Sequence, residues 1–372
     1  MRQIKQILFA LLCGVALFSC SKEDNVGEEI TSKKPYYLVV NEGQWTKGTA
    51  AISVVYDDGS CEYDIFRKVN DRPLGDVAQS ISYIKGKYYV VLNNSKKIEV
   101  VEPGTFKSVA TINYDAQDLN GSPRFMVQLS DNDALVSDLQ NQVVKIDLNT
   151  NKVVDVVEID RRIEKMVTVN NKVFGASGSD IFVFDNNNIK TDAIRSVADM
   201  EGGVISTAKM IVDKNNKIWA LASEFRKCIL LCIDPVSEKV VYKYVLPLIP
   251  SNSEEYKEGC FTNLSSFARM DSDASRENLY FNVGTLKGAK NDYQVVCKFN
   301  INTKELVKYQ ELEDLGMMYG MGVSPAGEVF VCDCLDYSAQ RGYVRKYAKN
   351  GEIVSQKVGI YPRMLHFVEY DK

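Results

Sequence analysis

Apolar and polar residues alternate along this chain in short β-rich runs divided by turn residues, and one pairing of runs keeps returning. A strand rich in Val, Ile, Tyr or Phe ends in Asp, Asn, Pro or Gly, and a second strand then leaves. The unit reads VVYDDGSCEYDIF from Val54, VVEPGTFKSVATI from Val100, KIDLNTNKVVDVV from Lys145 and VFDNNNIKTDAIR from Val183. It recurs as CIDPVSEKVVYKY from Cys232, KFNINTKELVKYQ from Lys298 and KYAKNGEIVSQKV from Lys346. Turn residues between β-branched runs specify hairpins. Another hairpin lies upstream of most copies, as in ISYIKGKYYVVLN from Ile81, MVTVNNKVFGAS from Met166 and MGVSPAGEVFVCD from Met321. Two hairpins make a four-stranded sheet, and a spacing of about 40–50 residues is that of a propeller blade.

The repeats therefore predict an all-β, seven-bladed β-propeller over residues 35–372. Blades open near Ile81, Phe125, Ile163, Ala208, Leu264 and Tyr319, and one closing blade is shared between the ends. The first copy, from Tyr36, lacks an opening strand, and Arg363 to Val368 reads as an opening strand with nothing after it. Pairing the two would lock the ring and cover the edges that an open sheet leaves. No helical periodicity of useful length is present. A β-sandwich or two barrels is the competing architecture, against which the regular period argues.

The first residues follow another pattern. Arg2 and Lys5 precede an apolar run, Ile7 to Phe18, too short for a spanning helix, which needs about 20 residues. Ser19-Cys20 ends the run as a lipoprotein signal peptidase requires. Residues 1–19 are thus expected to be a signal peptide, Cys20 to carry lipid, and residues 20–34 to be a flexible tether. An ordinary signal peptide with an incidental cysteine is the alternative. Formal charge is −4 with basic residues scattered, which points away from nucleic acid. Cys61, Cys228, Cys232, Cys260, Cys297, Cys332 and Cys334 remain besides the signal-peptide and lipidated cysteines. An odd number cannot pair fully within one chain. They read best as small buried strand residues, and His366 as the only histidine makes zinc a poor reading.

In a propeller, the loops that enter the inner strands share a face with those between second and third strands. Four blades place a cation just before the inner strand: Arg124, Lys165, Lys209 and Arg363. Tyr319 holds the equivalent place in another. Asn41, Trp45, Arg72, Asn94, Asp138, Asp333 and Tyr337 fall in loops of the same face. Together they suggest a polar, partly cationic bowl with aromatic walls, suited to phosphate, carboxylate or amide oxygens. Polar residues gather at any loop-rich face, and that plainer account stays open for each residue. Asp138 and Asp333 could meet across the channel for acid–base work or Ca²⁺, or form salt bridges with Arg124 and its neighbours. No GxSxG, HExxH or phosphate-binding glycine loop is present, so neither catalysis, a metal nor a cofactor is expected.

NEGQW from Asn41, NDRPLGDVAQS from Asn70, NNSKKIEVVEPGTFK from Asn93 and the long run from Met318 to Arg363 resemble the YncE-like propeller lipoproteins of Bacteroidota. Lys165 stands where that group often has Gln. The Lys22-Glu23-Asp24 run after Cys20 resembles their surface-export signal, which implies the outer face of the outer membrane; a plain spacer in the periplasm is the alternative. The group includes BtuG-type lipoproteins, which bind cobalamin and pass it to a TonB-dependent outer-membrane transporter. The resemblance implies a non-catalytic surface binder with a corrinoid as ligand and such a transporter as partner. A glycan- or protein-binding accessory to another uptake system and a lactonase- or hydrolase-like propeller are the other readings.

Overall fold

Strands such as Lys87–Leu92, KYYVVL, are apolar at nearly every position, whereas a half-exposed strand would alternate. Both faces must then be covered, and sheets stacked around an axis cover them. Tyr88, Val90 and Leu92 pack on Leu38, Val40, Ile52 and Val54 of the preceding sheet. Tyr89 and Val91, one residue out of phase, pack on Met126, Val136 and Val144 of the following sheet. Among the described residues the buried apolar side chains form seven such clusters, one at each joint between neighbouring blades.

The computed structural model describes residues 33–177, 180–185, 195–196, 210–224, 227–247, 269–284, 294–312, 315–348 and 350–371. These form seven four-stranded antiparallel sheets. Six follow chain order, with inner strands Ala78–Ile84, Pro123–Gln128, Met166–Val169, Met210–Val212, Met270–Ser272 and Met318–Val323. The seventh takes its inner strand, Pro362–Phe367, from the C-terminus and Pro35–Asn41, Ala51–Tyr56 and Cys61–Glu62 from the N-terminus. Val39 pairs with Leu365 and Val40 with Met364 in that closing ladder. This is the seven-bladed propeller that the repeats predict. We call the closing blade the first and number the others along the chain.

The structure departs from the sequence reading in detail. The outer strand of the first blade has only two residues, and a short helix, Ile65–Asn70, follows it. The inner strand of the sixth blade begins at Met270, not near Leu264, which lies outside the described residues. So do the predicted signal peptide, Cys20 and most of the tether, Lys209 and Cys260. None of the six described cysteines is in a disulfide, and all but Cys61 are buried. His366 turns its Nε2 to Asp371 Oδ1 at 2.7 Å, and Tyr88 of the second blade donates to the other oxygen of Asp371. The chain's end is thereby tied across a joint.

Four tyrosines, Tyr37, Tyr88, Tyr114 and Tyr280, are buried in these joints, and burial raises each phenol's pKa. A raised folded-state pKa favours the neutral form. Its contribution is therefore complete below pH 10, the unfolded value, and falls as pH climbs above it. The loss is about 1.4 kcal/mol per pH unit for each phenol. The denaturant midpoint is expected to drop steeply between about pH 10 and pH 12, with these phenols ionising only as the protein unfolds. Tyrosinate absorbance appearing at pH 11 for all tyrosines of a still-folded protein would contradict this.

Candidate functional site

The start of each inner strand reaches the channel at one mouth. Gln79, Arg124, Tyr319 and Arg363 are second residues of their inner strands, while Lys165 and Arg269 immediately precede theirs. All six line one cavity of ≈ 540 Å³. They occupy six of the seven equivalent places, and Lys209, at the seventh, is outside the described residues. Below them Met126, Met166, Met270, Met321 and Met364 contribute a soft apolar wall.

Two of the cations are paired within the site. Arg124 holds Glu164 at 3.0 Å, and Arg363 holds Glu42 at 2.8 Å. Tyr319 donates to the same Glu42 oxygen at 2.9 Å, and the Arg363 guanidinium lies 5.7 Å from the Tyr319 ring centre. Arg269 donates to the Tyr319 carbonyl at 2.7 Å, joining the sixth blade to the seventh. Asp271 accepts from the backbone N–H of Val323 at 2.8 Å and of Ser272 at 2.9 Å. Lys165 alone among the described lining cations makes neither an ion pair nor a hydrogen bond with a described residue. Gln79 is 1% exposed, and its Oε1 is buried without a partner.

Charge is strained here. Burial lowers the pKa of Arg124, against the pull of Glu164. Burial and then the charge of Arg363 push Arg269 down to about 10. Burial also lowers Lys165, with Asp271 opposing it, and raises Asp271, with Lys165 opposing that. For Arg363 burial works downward, but Glu42 and its neighbours prevail and hold it above the ordinary arginine value. Desolvated cations crowded on one cavity are relieved by an anion entering it.

The rim is aromatic. Tyr361 sits between Tyr319 and Tyr337, with ring centres 6.3 and 6.4 Å away. Tyr337 lines the mouth and is 64% exposed. The structure thus brings Arg124, Lys165, Tyr319, Tyr337 and Arg363 together. The other sequence candidates lie elsewhere. Asn41 is fully buried, donating to Val39 O, Ala51 O and Ser53 Oγ and accepting from Gly359 N, so it staples the first blade to the last. Asp138 and Asp333 are also buried; they accept loop N–H groups from Ser122 and Gln140 and from Met317 and Leu335. Asp333 additionally pairs with Arg345, so neither carboxylate belongs to the cavity lining. Arg72 forms a two-pronged pair with buried Glu99, at 2.9 Å for each contact, and lies over Phe66. Asn94 and the Thr46 N–H both bind Asp76 Oδ2, which pins the turn carrying Trp45, itself 59% exposed. Trp45 and Asn94 share the mouth's face without lining its cavity.

Gln79, Glu164, Arg269 and Asp271 are lining residues beyond the sequence candidates. A signal for Arg269 exists: Arg269-Met270 repeats the Lys165-Met166, Lys209-Met210 and Arg363-Met364 pairs. Among the described residues no cluster of three or more His, Cys, Asp or Glu side chains is arranged to hold a metal, and no helix is long and apolar enough to cross a membrane.

Solved structures share this fold at low identity. A quinonprotein alcohol dehydrogenase-like protein from Bacteroides thetaiotaomicron VPI-5482 superposes with a TM-score of 0.66 at 14% identity, over 90% of this chain and 78% of that one. A candidate 6-phosphogluconolactonase from Bacteroides fragilis NCTC 9343 gives 0.58 at 13%, over 91% and 99%. One from Bacteroides uniformis ATCC 8492 gives 0.58 at 13%, over 90% and 100%. At such identities the likeness is one of fold. No curated protein sequence matches the chain. Residues 36–350 match the domain of unknown function DUF5074, and the chain belongs to that family.

Proposed function

We propose that this protein is a non-catalytic ligand binder held to the outer membrane through Cys20, exposed at the cell surface. It takes a corrinoid at the tyrosine-rimmed mouth and passes it to a TonB-dependent transporter. The observation that carries this reading is the convergence of Arg124, Arg363, Tyr319 and Tyr337 from three blades on one mouth. Guanidinium donors suit the amides and phosphate at the edge of a corrinoid, and tyrosine faces suit its flat macrocycle. The family match and the Bacteroides neighbours accord with a Bacteroidota propeller, and the resemblance to BtuG-type lipoproteins supplies the corrinoid. The cavity of ≈ 540 Å³ lies within the usual range for drug-sized ligands, about 300–1,000 Å³. A corrinoid is bulkier, so it rests across the mouth and sends only a side group inward.

Calorimetry with cyanocobalamin tests this on the wild type and on Arg124→Gln/Arg363→Gln. A charge-assisted hydrogen bond contributes about 1.5–3 kcal/mol, so losing two is expected to weaken binding by ten-fold or more. Equal affinity in both proteins would move the ligand off this mouth. A wild type that ignores cobalamin but binds a glycan would make it an accessory to another uptake system. Turnover of a lactone panel would make it an enzyme.

A further inference from the structure

Beneath the rim, the channel holds two groups that the mouth does not use. Lys165 reaches the cavity from the fourth blade with neither a hydrogen bond nor an ion pair among the described residues. Asp271, from the sixth blade, acts on it from beyond ion-pair distance. Gln79, from the second blade, presents to the same cavity a side-chain amide that no described residue binds, with Oε1 buried. Burying an amide oxygen without a partner is costly, and so is holding an ammonium in partial desolvation without a counter-ion. The buried site candidates outside the cavity differ: Asn41, Asp138 and Asp333 each have several partners. Of the buried side-chain atoms without a partner among the described residues, Asp76 Oδ1 and Tyr114 Oη lie outside the cavity, and Gln79 Oε1 is the one that a ligand in it can reach.

We propose that the inner channel is a subsite for a small hydroxylated oxyanion, a carboxylate or phosphate monoester of a polyol. Its charged end lies at Lys165 and Arg269, and one of its hydroxyls bonds to the Gln79 amide. The amide can accept from a hydroxyl or donate to one. Asp271 keeps lone pairs beyond those taken by Ser272 and Val323 and faces the same space. A ligand with an anionic end and hydroxyls thus satisfies Lys165, Gln79 and Asp271 together. A bare inorganic anion would satisfy only the first, and a neutral polyol only the other two. The subsite rests on reading the channel as a ligand site, and does not require the ligand across its mouth to be a corrinoid.

The test uses the full chain and four probes: gluconate and glucose 6-phosphate, sorbitol as the uncharged polyol, and hexanoate as the anion without hydroxyls. Calorimetry and melting shifts are read on wild type, Lys165→Met and Gln79→Leu. One of the two hydroxylated anions is expected to bind at least about tenfold more tightly than sorbitol or hexanoate, since each lacks one class of hydrogen bond. Lys165→Met should bring that anion down to the level of sorbitol, and Gln79→Leu should bring it to the level of hexanoate. Which of the two binds better separates carboxylate from phosphate. No binding by either, equal binding by all four probes, or folded variants that bind as wild type overturns the subsite. Cobalamin is titrated against the same proteins. Anion binding without a cobalamin response removes the corrinoid and keeps the subsite; cobalamin binding without an anion response does the reverse.

Discussion

Deleting residues 361–372 is expected to abolish the native fold, leaving a protein without a cooperative melting transition. The segment supplies the inner strand of the first blade, and the ladder Tyr37–Phe367, Val39–Leu365 and Val40–Met364 goes with it. Leu365 and Phe367 belong to the cluster that joins the seventh blade to the first. There Phe367 lies 5.1 Å from Phe330 and 5.7 Å from Tyr37, ring centre to ring centre. Met364 and Val368 pack on the opposite face, at the joint to the second blade. Truncating one buried Leu or Phe costs about 2–5 kcal/mol, against a total stability of about 5–15 kcal/mol. The deletion removes two such side chains, a whole ladder and the Asp371 tie to His366 and Tyr88. Because blades in a repeat fold are stabilised by their neighbours, opening one joint also exposes two sheet surfaces. Circular dichroism melting checks this, and a truncated protein that melts where the wild type does would refute the closing topology.

That closure was legible because its signal is local: an apolar strand with no partner after it and a first repeat with no strand before it. The ring of cations was partly legible for the same reason, since Arg124, Lys165 and Arg363 stand beside recognisable inner strands. Arg269 was missed because its strand has three residues, Met270-Asp271-Ser272, and a carboxylate at the centre breaks the apolar pattern. Gln79 was missed by a shift of register. The expected strand began near Ile81, and a bulge between Ala78 and Ser80 carries Gln79 into the channel instead. Arg72 and Asn41 show the converse. Their residue types suit ligand contacts, but their partners come from afar in the chain: Glu99 lies 27 residues on and Gly359 lies 318 residues on. Local sequence cannot tell a polar group spent on a distant loop from one left for a ligand. Only the bonding of each donor and acceptor separates them.

Gly320→Ala is expected to be among the most damaging single methyl additions to the chain, and to weaken ligand binding along with stability. Gly320 lies in the inner strand of the seventh blade, between Tyr319 and Met321. A Cβ there would stand 2.0 Å from the carbonyl oxygen of Arg363 and 2.7 Å from its carbon. Both atoms are backbone of the neighbouring inner strand, so no side-chain rotation relieves the clash, and the two strands must separate. Gly322, two residues on, would meet Leu365 at 3.0 Å, so the approach is close along the strand. Overpacking costs about 1–3 kcal/mol where side chains can give way, and more is expected where only backbone can move. For a domain of this size, about 3 kcal/mol lowers the melting temperature by roughly 4 °C, because the unfolding entropy grows with chain length. The separation falls where Tyr319 and Arg363 share Glu42, so it also spreads the mouth. Gly59→Ala is the control: that glycine has φ +79° and nothing within 4 Å of its added Cβ, so only the smaller cost of a left-handed alanine is expected. If Gly320→Ala melts no lower than Gly59→Ala and binds ligand like wild type, the inner strands do not approach as closely as the two glycines require.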